Sequence, residues 1–368
     1  MRLLIFISSM GGGGAERVTA SLANYWAAQG WEITIVTPSQ QSQDFYELHP
    51  SIQRIALGLA GKSATVWVGL WRNIRRVTAL RQVLRQLKPD IAVGMMTTAN
   101  VVLAFAACGL PIKTIGCEHI HPPQMPLGSL WEFLRRYSYG LLDVVTGLTT
   151  EGKMWLAGHT RAKTAMVMPN PVSWPLPLNE PRLLPPVSER RILLAVGRLA
   201  EQKNFDGLIE VFSGLAPMHS EWDLYIVGDG PLRPALERQI QTSGLQNRVF
   251  LPGRAGNIGE WYQRADLYVL SSRFEGFPMT LVEAMAYNVA AVSFDCDTGP
   301  RDIIRHELDG LLVPPGDSAG LRVALDRLMG DDATRHRFAG RAAEIRERFS
   351  MTRIAGLWEE LVTELLQK

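Results

Sequence analysis

Cysteine is scarce and unpatterned in this 368-residue chain: Cys108, Cys117 and Cys296 are all it has, and no two stand in a C-x-x-C spacing. A disulfide scaffold and a thiolate zinc site are thereby excluded, and a reducing compartment fits. Net charge is nearly lacking too, at +2, so charge alone argues for no nucleic acid and no other polyanion as partner. There is no uninterrupted apolar run of the roughly 18 residues that a spanning helix needs. The apolar start MRLLIFISSMGGGG is short, carries one arginine and shows no small-residue cleavage pattern. Any membrane contact is expected to be peripheral, on a cytoplasmic protein.

What is present points to two domains, since the length exceeds one ordinary core. LLIFIS reads as a buried strand, Gly11 to Gly14 as a turn, and Val18, Leu22 and Trp26 as one face of a helix that Gly30 stops before the strand WEITIVTP. Further strands are expected at IAVGM, KTIGC and VVTGL, with helices between, which predicts a parallel sheet. Residues 171–190 are too rich in proline for a helix or a central strand and read as a linker. The strand and helix alternation then restarts at RILLAVG. The expected organisation is a first Rossmann-like domain over 1–170, the linker, a second over 191–349, and a final helix over 350–368. That helix needs a surface on its own domain or on the first.

Chemistry concentrates in loops after strands. The run Gly11 to Gly14 lacks the third glycine of the dinucleotide fingerprint, and TPSQ offers no acid to a ribose, so a nicotinamide reading is weak. Four glycines in a row still suit a backbone brought close to a phosphate. Arg198 and Lys203, five apart after the strand RILLAVG, suit a diphosphate, the arginine as a fork and the lysine as a point charge. Glu275 and Glu283 flank a Gly-Phe-Pro turn. Two carboxylates beside a diphosphate repel it unless they accept from hydroxyls, and sugar hydroxyls are the natural donors.

With these residues in view, the chain resembles a known family. EGFPMTLVE, preceded by GRLAEQKN and VGDGPLRPALE and followed by DTGPRDIIRHELDGLLVP, is similar to the carboxy-terminal half of the retaining glycosyltransferases of family 4. SSMGGGGAERVTASLA resembles their amino-terminal loop. The resemblance implies the GT-B fold, an α/β architecture of two Rossmann-like parallel-sheet domains facing across a cleft. It implies a nucleotide-sugar donor, UDP favoured by family habit, and transfer of a hexose or N-acetylhexosamine to a glycan acceptor.

The same resemblance assigns roles. Glu275 would contact the donor sugar, Glu283 the ribose, and Arg198 with Lys203 the leaving diphosphate. The backbone of Gly12 and Gly13, and of Gly276, Phe277, Pro278, Met279 and Thr280, would approach the diphosphate and sugar, with Gly253 and Arg254 near the base. His119 in CEHIH would lie near the sugar, with Glu118 a weaker candidate and His121 left open. No cofactor and no metal are expected, because no Asp-x-Asp is read at a strand end and because Arg198 and Lys203 can supply the charge a magnesium ion otherwise would. A nucleotide-sugar epimerase and a catalytically silent donor-binding module remain the alternative readings.

Residues 66–87 read as a helix whose Trp67, Leu70, Trp71 and Ile74 stand beside Arg72, Arg75 and Arg76. Such a helix suits an anionic membrane surface, the diphosphate of a polyisoprenyl-linked acceptor, or simple packing on the sheet. WEFLRRYSYGLLD, from Trp131, is a second aromatic and basic stretch. The general look resembles bacterial transferases that extend lipid-linked oligosaccharides or exopolysaccharide repeats.

Overall fold

The structure, a computed structural model, describes residues 1–61, 66–124, 126–187 and 189–367, with the side chains of 66–70 outside the description. It divides into two compact units, Met1–Pro171 with Met351–Lys368, and Val172–Ser350.

In the first unit β1 (Arg2–Ile7), α1 (Gly14–Ala28), β2 (Glu32–Thr37), β3 (Gln53–Ala56), α2 (Val66–Leu87) and β4 (Ile91–Met95) are followed by α3 (Thr97–Ala107) and β5 (Lys113–Glu118). Then come α4 (Ser129–Ser138), β6 (Val144–Gly147), α5 (Thr150–His159) and β7 (Ala165–Val167). The strands form one sheet in the order β3-β2-β1-β4-β5-β6-β7, and every pairing is parallel. β1 is buried from Leu3 to Ile7, as a central strand covered on both faces must be. Val18, Leu22 and Trp26 of α1 are buried at helical spacing. α2 packs against α3 and α3 against α4, over a core that includes Leu80, Leu84, Val102, Leu103 and Tyr139.

The second unit holds β8 (Arg191–Val196), α6 (Phe205–Leu215), β9 (Trp222–Val227), α7 (Arg233–Thr242), β10 (Val249–Gly253), α8 (Ile258–Arg264) and β11 (Leu267–Leu270). It continues through α9 (Met279–Ala286), β12 (Ala291–Phe294), α10 (Pro300–Ile303), β13 (Gly310–Val313), α11 (Ser318–Gly330), α12 (Asp332–Ala342) and α13 (Ile345–Arg348). Its sheet, β10-β9-β8-β11-β12-β13, is again parallel throughout. The last helix, α14 (Met351–Gln367), belongs to the first unit, where Trp358 meets Trp26 edge-on with ring centroids 6.1 Å apart. Of the apolar stripe expected on it, Ile354, Trp358, Leu361 and Leu365 are buried while Leu357 is exposed.

One expectation needs correcting. Residues 171–190 are no free linker, because from Val172 onward the chain is part of the second unit. Its prolines forgo ladder bonds, and side chains satisfy the backbone instead. Asn257, wholly buried, accepts from the Leu183 N–H at 2.8 Å and donates to the Leu183 carbonyl at 3.0 Å, and the Trp261 indole donates to that carbonyl at 2.7 Å. Gly256 donates to the Pro181 carbonyl at 2.7 Å, and the Arg346 guanidinium lies over Trp174 at 3.8 Å.

Candidate functional site

Each sheet reverses its winding once, between β1 and β4 and between β8 and β11. In open parallel sheets ligands bind at the carboxyl ends of the strands at such a switch point. Of the residues singled out from the sequence, Gly12 and Gly13 follow β1, Arg198 and Lys203 follow β8, and Glu275 follows β11, whereas His119 follows β5 and Gly253 ends β10.

In the second unit, Arg198 and Lys203 follow β8 and Glu275 follows β11. Lys203 Nζ donates to Glu275 Oε1 at 2.6 Å, and the Ser272 hydroxyl donates to the same oxygen at 2.6 Å. Glu275 is only 7% exposed. The two loops are sewn together besides: Arg273 N–H donates to the Gln202 carbonyl at 2.8 Å, the Gln202 amide to the Phe274 carbonyl at 2.9 Å, and the Ser271 hydroxyl to the Lys203 carbonyl at 2.8 Å. Arg198 is exposed at the mouth of this loop.

Glycine permits the close approach of the neighbouring loop. Gly228, just past β9, has φ +150°, and a Cβ there would lie 1.9 Å from the Gly197 carbonyl oxygen. Its N–H donates to the Gly253 carbonyl at 2.8 Å, so the ends of β8, β9 and β10 are held level. Arg254, next to Gly253, is exposed.

After Glu275 the chain turns through Gly276 and the buried Phe277 into α9, with Pro278 as its first flanking residue. Gly299, at φ +98°, presses on this turn; a Cβ there would come within 2.5 Å of Pro278 Cδ. Thr298 donates its hydroxyl to the Glu275 carbonyl. The first N–H groups of α9, including those of Met279 and Thr280, have no intrahelical acceptor, as at any helix start. The Thr280 hydroxyl is bonded to the Tyr268 phenol at 2.8 Å. Glu283, 3% exposed, accepts from the Tyr262 phenol at 3.1 Å. Burial pushes the Tyr268 phenol far above its usual range, and the carboxylates of Glu275 and Glu283 push the same way. Tyr268 therefore lies within electrostatic reach of both acids. The Cys296 thiol is pushed up to about 12, by burial first and then by the charges of Glu275, Asp297 and Asp295. It is held as an inert thiol.

Tyr262, Tyr268, Ser272 and Thr298 were not among the sequence candidates. Each stands in a run that reads simply as buried strand, helix or turn, and only the fold shows which acid its hydroxyl meets. The expectation that no Asp-x-Asp stands at a strand end is corrected here, since Asp295 and Asp297 form such a pair just past β12. Asp295 accepts from Arg301 Nε at 2.9 Å. Among the described residues no group of three or more His, Cys, Asp or Glu side chains is placed to hold a metal ion.

In the first unit the glycine run leads from β1 into α1, with Gly13 as the flanking residue. The Tyr46 phenol donates to the Gly13 carbonyl at 3.0 Å, and the Phe45 ring lies 3.8 Å from where a Cβ on Gly12 would be. Glu118 ends β5, 4% exposed, and accepts from the Thr97 hydroxyl at 2.8 Å and from the Tyr139 phenol. Burial raises its carboxyl above the ordinary range against the pull of these bonds. Asn100, wholly buried, donates to Tyr139 at 3.1 Å and clamps Cys117 through its carbonyl at 3.0 Å and its N–H at 3.2 Å. His119 follows Glu118, just past the strand end held in this way. Burial pushes its imidazole down to about 4, which leaves it neutral at physiological pH.

The basic helix is only partly as expected. Arg75 is exposed, but Arg76 donates to the Leu59 carbonyl at 3.1 and 2.9 Å, and Arg72 lies against Gly61. Arg76 is a tether for the preceding loop and is not turned outward. Trp71 and Ile74 are exposed, whereas the side chains of Trp67 and Leu70 lie outside the described residues.

Comparison with known proteins agrees with this layout. Residues 12–173 match the family described as Glycosyltransferase Family 4, and residues 180–345 match Glycosyl transferases group 1. An exopolysaccharide phosphotransferase of Streptomyces coelicolor is 34% identical over 78% of this chain, which spans 30% of that longer protein. A Campylobacter jejuni α-1,4-N-acetyl-D-galactosaminyltransferase, whose name gives an undecaprenol-diphosphate-linked trisaccharide as acceptor, is 25% identical over 99% of both chains. Among solved structures, Anabaena HepE in complex with UDP superposes with a TM-score of 0.79 at 18% identity, over 99% of this chain and 100% of that one.

Proposed function

The chain belongs to the family 4 glycosyltransferases of the GT-B fold, and from that membership we propose that it moves a hexose or N-acetylhexosamine from a UDP-sugar, with retention, to a lipid-diphosphate-linked glycan in cell-surface glycan synthesis. The observation that carries the reading is the Lys203–Glu275 pair at the switch point of the second sheet, with Glu283 buried on the helix that follows. UDP is favoured because a structural neighbour holds it, and the acceptor class because a full-length relative is named for it.

In this reading Glu283 accepts from the ribose hydroxyls. Glu275, paired with Lys203, accepts from donor-sugar hydroxyls near the reacting carbon. Arg198 and Lys203 take up the charge that develops on the departing diphosphate, the role for which preorganised cations are effective, and no metal is required. The backbone of Gly276 to Thr280, and of Gly12 and Gly13, approaches the diphosphate and sugar, while Gly253 and Arg254 stand toward the base. His119, being neutral, serves as a hydrogen-bonding partner of the sugar rather than as an acid.

The step is a front-face substitution. The bond from anomeric carbon to phosphate oxygen breaks as the acceptor oxygen bonds to the same face, and the acceptor proton passes to the departing phosphate. Glu275, already engaged by Lys203 and Ser272, is not needed as a nucleophile; a covalent sugar trapped on it would overturn this step. Of Arg72, Arg75 and Arg76, Arg75 is the exposed one and is turned toward an acceptor, and the protein works as a peripheral enzyme on the cytoplasmic face.

Thermal unfolding with UDP, GDP, ADP and NAD, with and without EDTA, tests the donor side, since a ligand at about 100 times its Kd stabilises by about 2.7 kcal/mol. A shift with UDP that EDTA leaves unchanged is expected. Stabilisation by NAD alone would refute the reading.

A further inference from the structure

A surface helix normally hides one apolar face and shows a polar one. α4 departs from that rule. Its inner face is satisfied: Trp131 and Leu134 pack on the core, and Arg135 stacks on Trp155 at 4.7 Å while pairing with Glu132. Its outer face is apolar as well. Leu130 and Phe133 are 53% and 57% exposed, Tyr137 is exposed one turn further on, and Leu127 and Leu141 extend the same row at either end. Phe133 and Tyr137 touch, with ring centroids 4.5 Å apart. An exposed apolar row of this kind marks an interaction surface.

Two exposed arginines stand beside it. Arg136 is exposed on α4, and the exposed Arg161 lies over the Tyr137 ring at 4.2 Å, its N–H donating to the Arg136 carbonyl at 2.9 Å. The acid of α4, Glu132, is taken by Arg135. On the other side of α3, α2 carries five arginines and no acid. Apolar rings flanked by arginine suit the boundary between acyl chains and anionic head groups.

We propose that the outer face of α4 is the seat of this protein on an anionic phospholipid bilayer, with Leu130, Phe133 and Tyr137 entering the head-group boundary and Arg136 and Arg161 meeting lipid phosphates. The choice of a bilayer over a protein partner rests on this charge and on the lipid-linked acceptor proposed above. α2 also shows Trp71, Ile74, Arg75 and Arg85 at the surface, but its Arg76 and Arg81 spend their guanidinium groups on the carbonyls of Leu59, Ala106 and Cys108, and α4 is taken as the seat.

The test is co-sedimentation of the full chain with phosphatidylglycerol-containing vesicles and with phosphatidylcholine vesicles, in low and high salt. Wild type should bind the anionic vesicles, less so in high salt. Leu130→Ser/Phe133→Ser should bind about tenfold more weakly or worse, since the apolar groups that would leave water are gone. Its thermal unfolding, and its transfer to a water-soluble acceptor analogue, should match wild type. The proposal is overturned if this variant binds as wild type, or if only Trp71→Ser/Ile74→Ser loses binding. It is equally overturned if wild type ignores vesicles and sediments as a dimer that the α4 variant dissolves. Wild type that binds vesicles yet transfers no sugar would sink the functional reading and leave the seat standing.

Discussion

Lys203 Nζ lies 2.6 Å from Glu275 Oε1, although the two residues enter from loops that follow different strands and are 72 positions apart. The lysine side chain is 15% exposed and the glutamate side chain 8%, so neither charge is well served by water. Removing one partner of such a pair is costlier than removing both. Lys203→Met should destabilise by about 3 kcal/mol, and Lys203→Met/Glu275→Gln should recover part of that loss. Urea unfolding of the four proteins gives the coupling directly; additive single effects would contradict the pair.

Glu275→Gln alone addresses catalysis. It keeps the size and one acceptor oxygen but removes the charge beside the reacting carbon. Turnover should fall by about 10²-fold or more while UDP still raises the melting temperature. An active Glu275→Gln enzyme would remove this residue from the mechanism.

Glu283 makes a different kind of contact, and 2′-deoxy-UDP exposes it. Hydrogen bonds to a charged acceptor are worth about 1.5–3 kcal/mol, so Glu283→Gln should weaken UDP roughly tenfold or more. Wild type should discriminate against the deoxynucleotide and the variant should not. Equal discrimination in both proteins would place the ribose elsewhere.

Gly228→Ala tests the approach of two loops without touching a charged group. The added methyl would fall 1.9 Å from the Gly197 carbonyl oxygen at a φ that side chains rarely adopt. The β8 loop must shift, carrying Arg198 and Lys203 with it. Isothermal titration should show UDP weakened by about tenfold, with the fold destabilised by about 2 kcal/mol or more. Unaltered UDP affinity would show that the level of this loop does not matter.

The acid limb of stability should carry the signature of His119. Its folded-state value is pushed down to about 4, below the roughly 6.5 of an unfolded chain. The unfolded state then binds the proton first, so stability is full above about pH 6.5 and falls as pH drops toward 4. His119→Asn should flatten that limb in urea midpoints measured from pH 7 to 4. An unchanged slope would mean the imidazole is hydrated in the folded protein.

Much of this was legible in the sequence because the signals were continuous. β1 and β8 are apolar runs with breakers at their ends, and the motifs follow strand ends, where parallel-sheet chemistry gathers. What escaped had weak local signal. β3 and β7 are a four-residue and a three-residue strand at the sheet edges with no fully buried residue, so neither shows a run or an alternation. The stretch 172–190 was mistaken for a linker because proline marks the lack of ladder bonds and says nothing about bonds made by side chains such as Asn257. Arg76 looked equivalent to Arg75, since helical spacing gives a face but not the carbonyl of Leu59 that claims one of them. The hydroxyls on Glu275 and Glu283 come from residues whose neighbours are all core.

The return of α14 to the first unit also orders events during synthesis. Val172–Ser350 is one unbroken stretch, whereas the first unit is made of two pieces separated by all of it. Domains commonly fold as they emerge, the amino-terminal one first. Here Trp26, already stacked on Trp31, lacks its edge contact with Trp358 until that residue has left the ribosome, so the later-made unit can finish folding before the earlier one is closed.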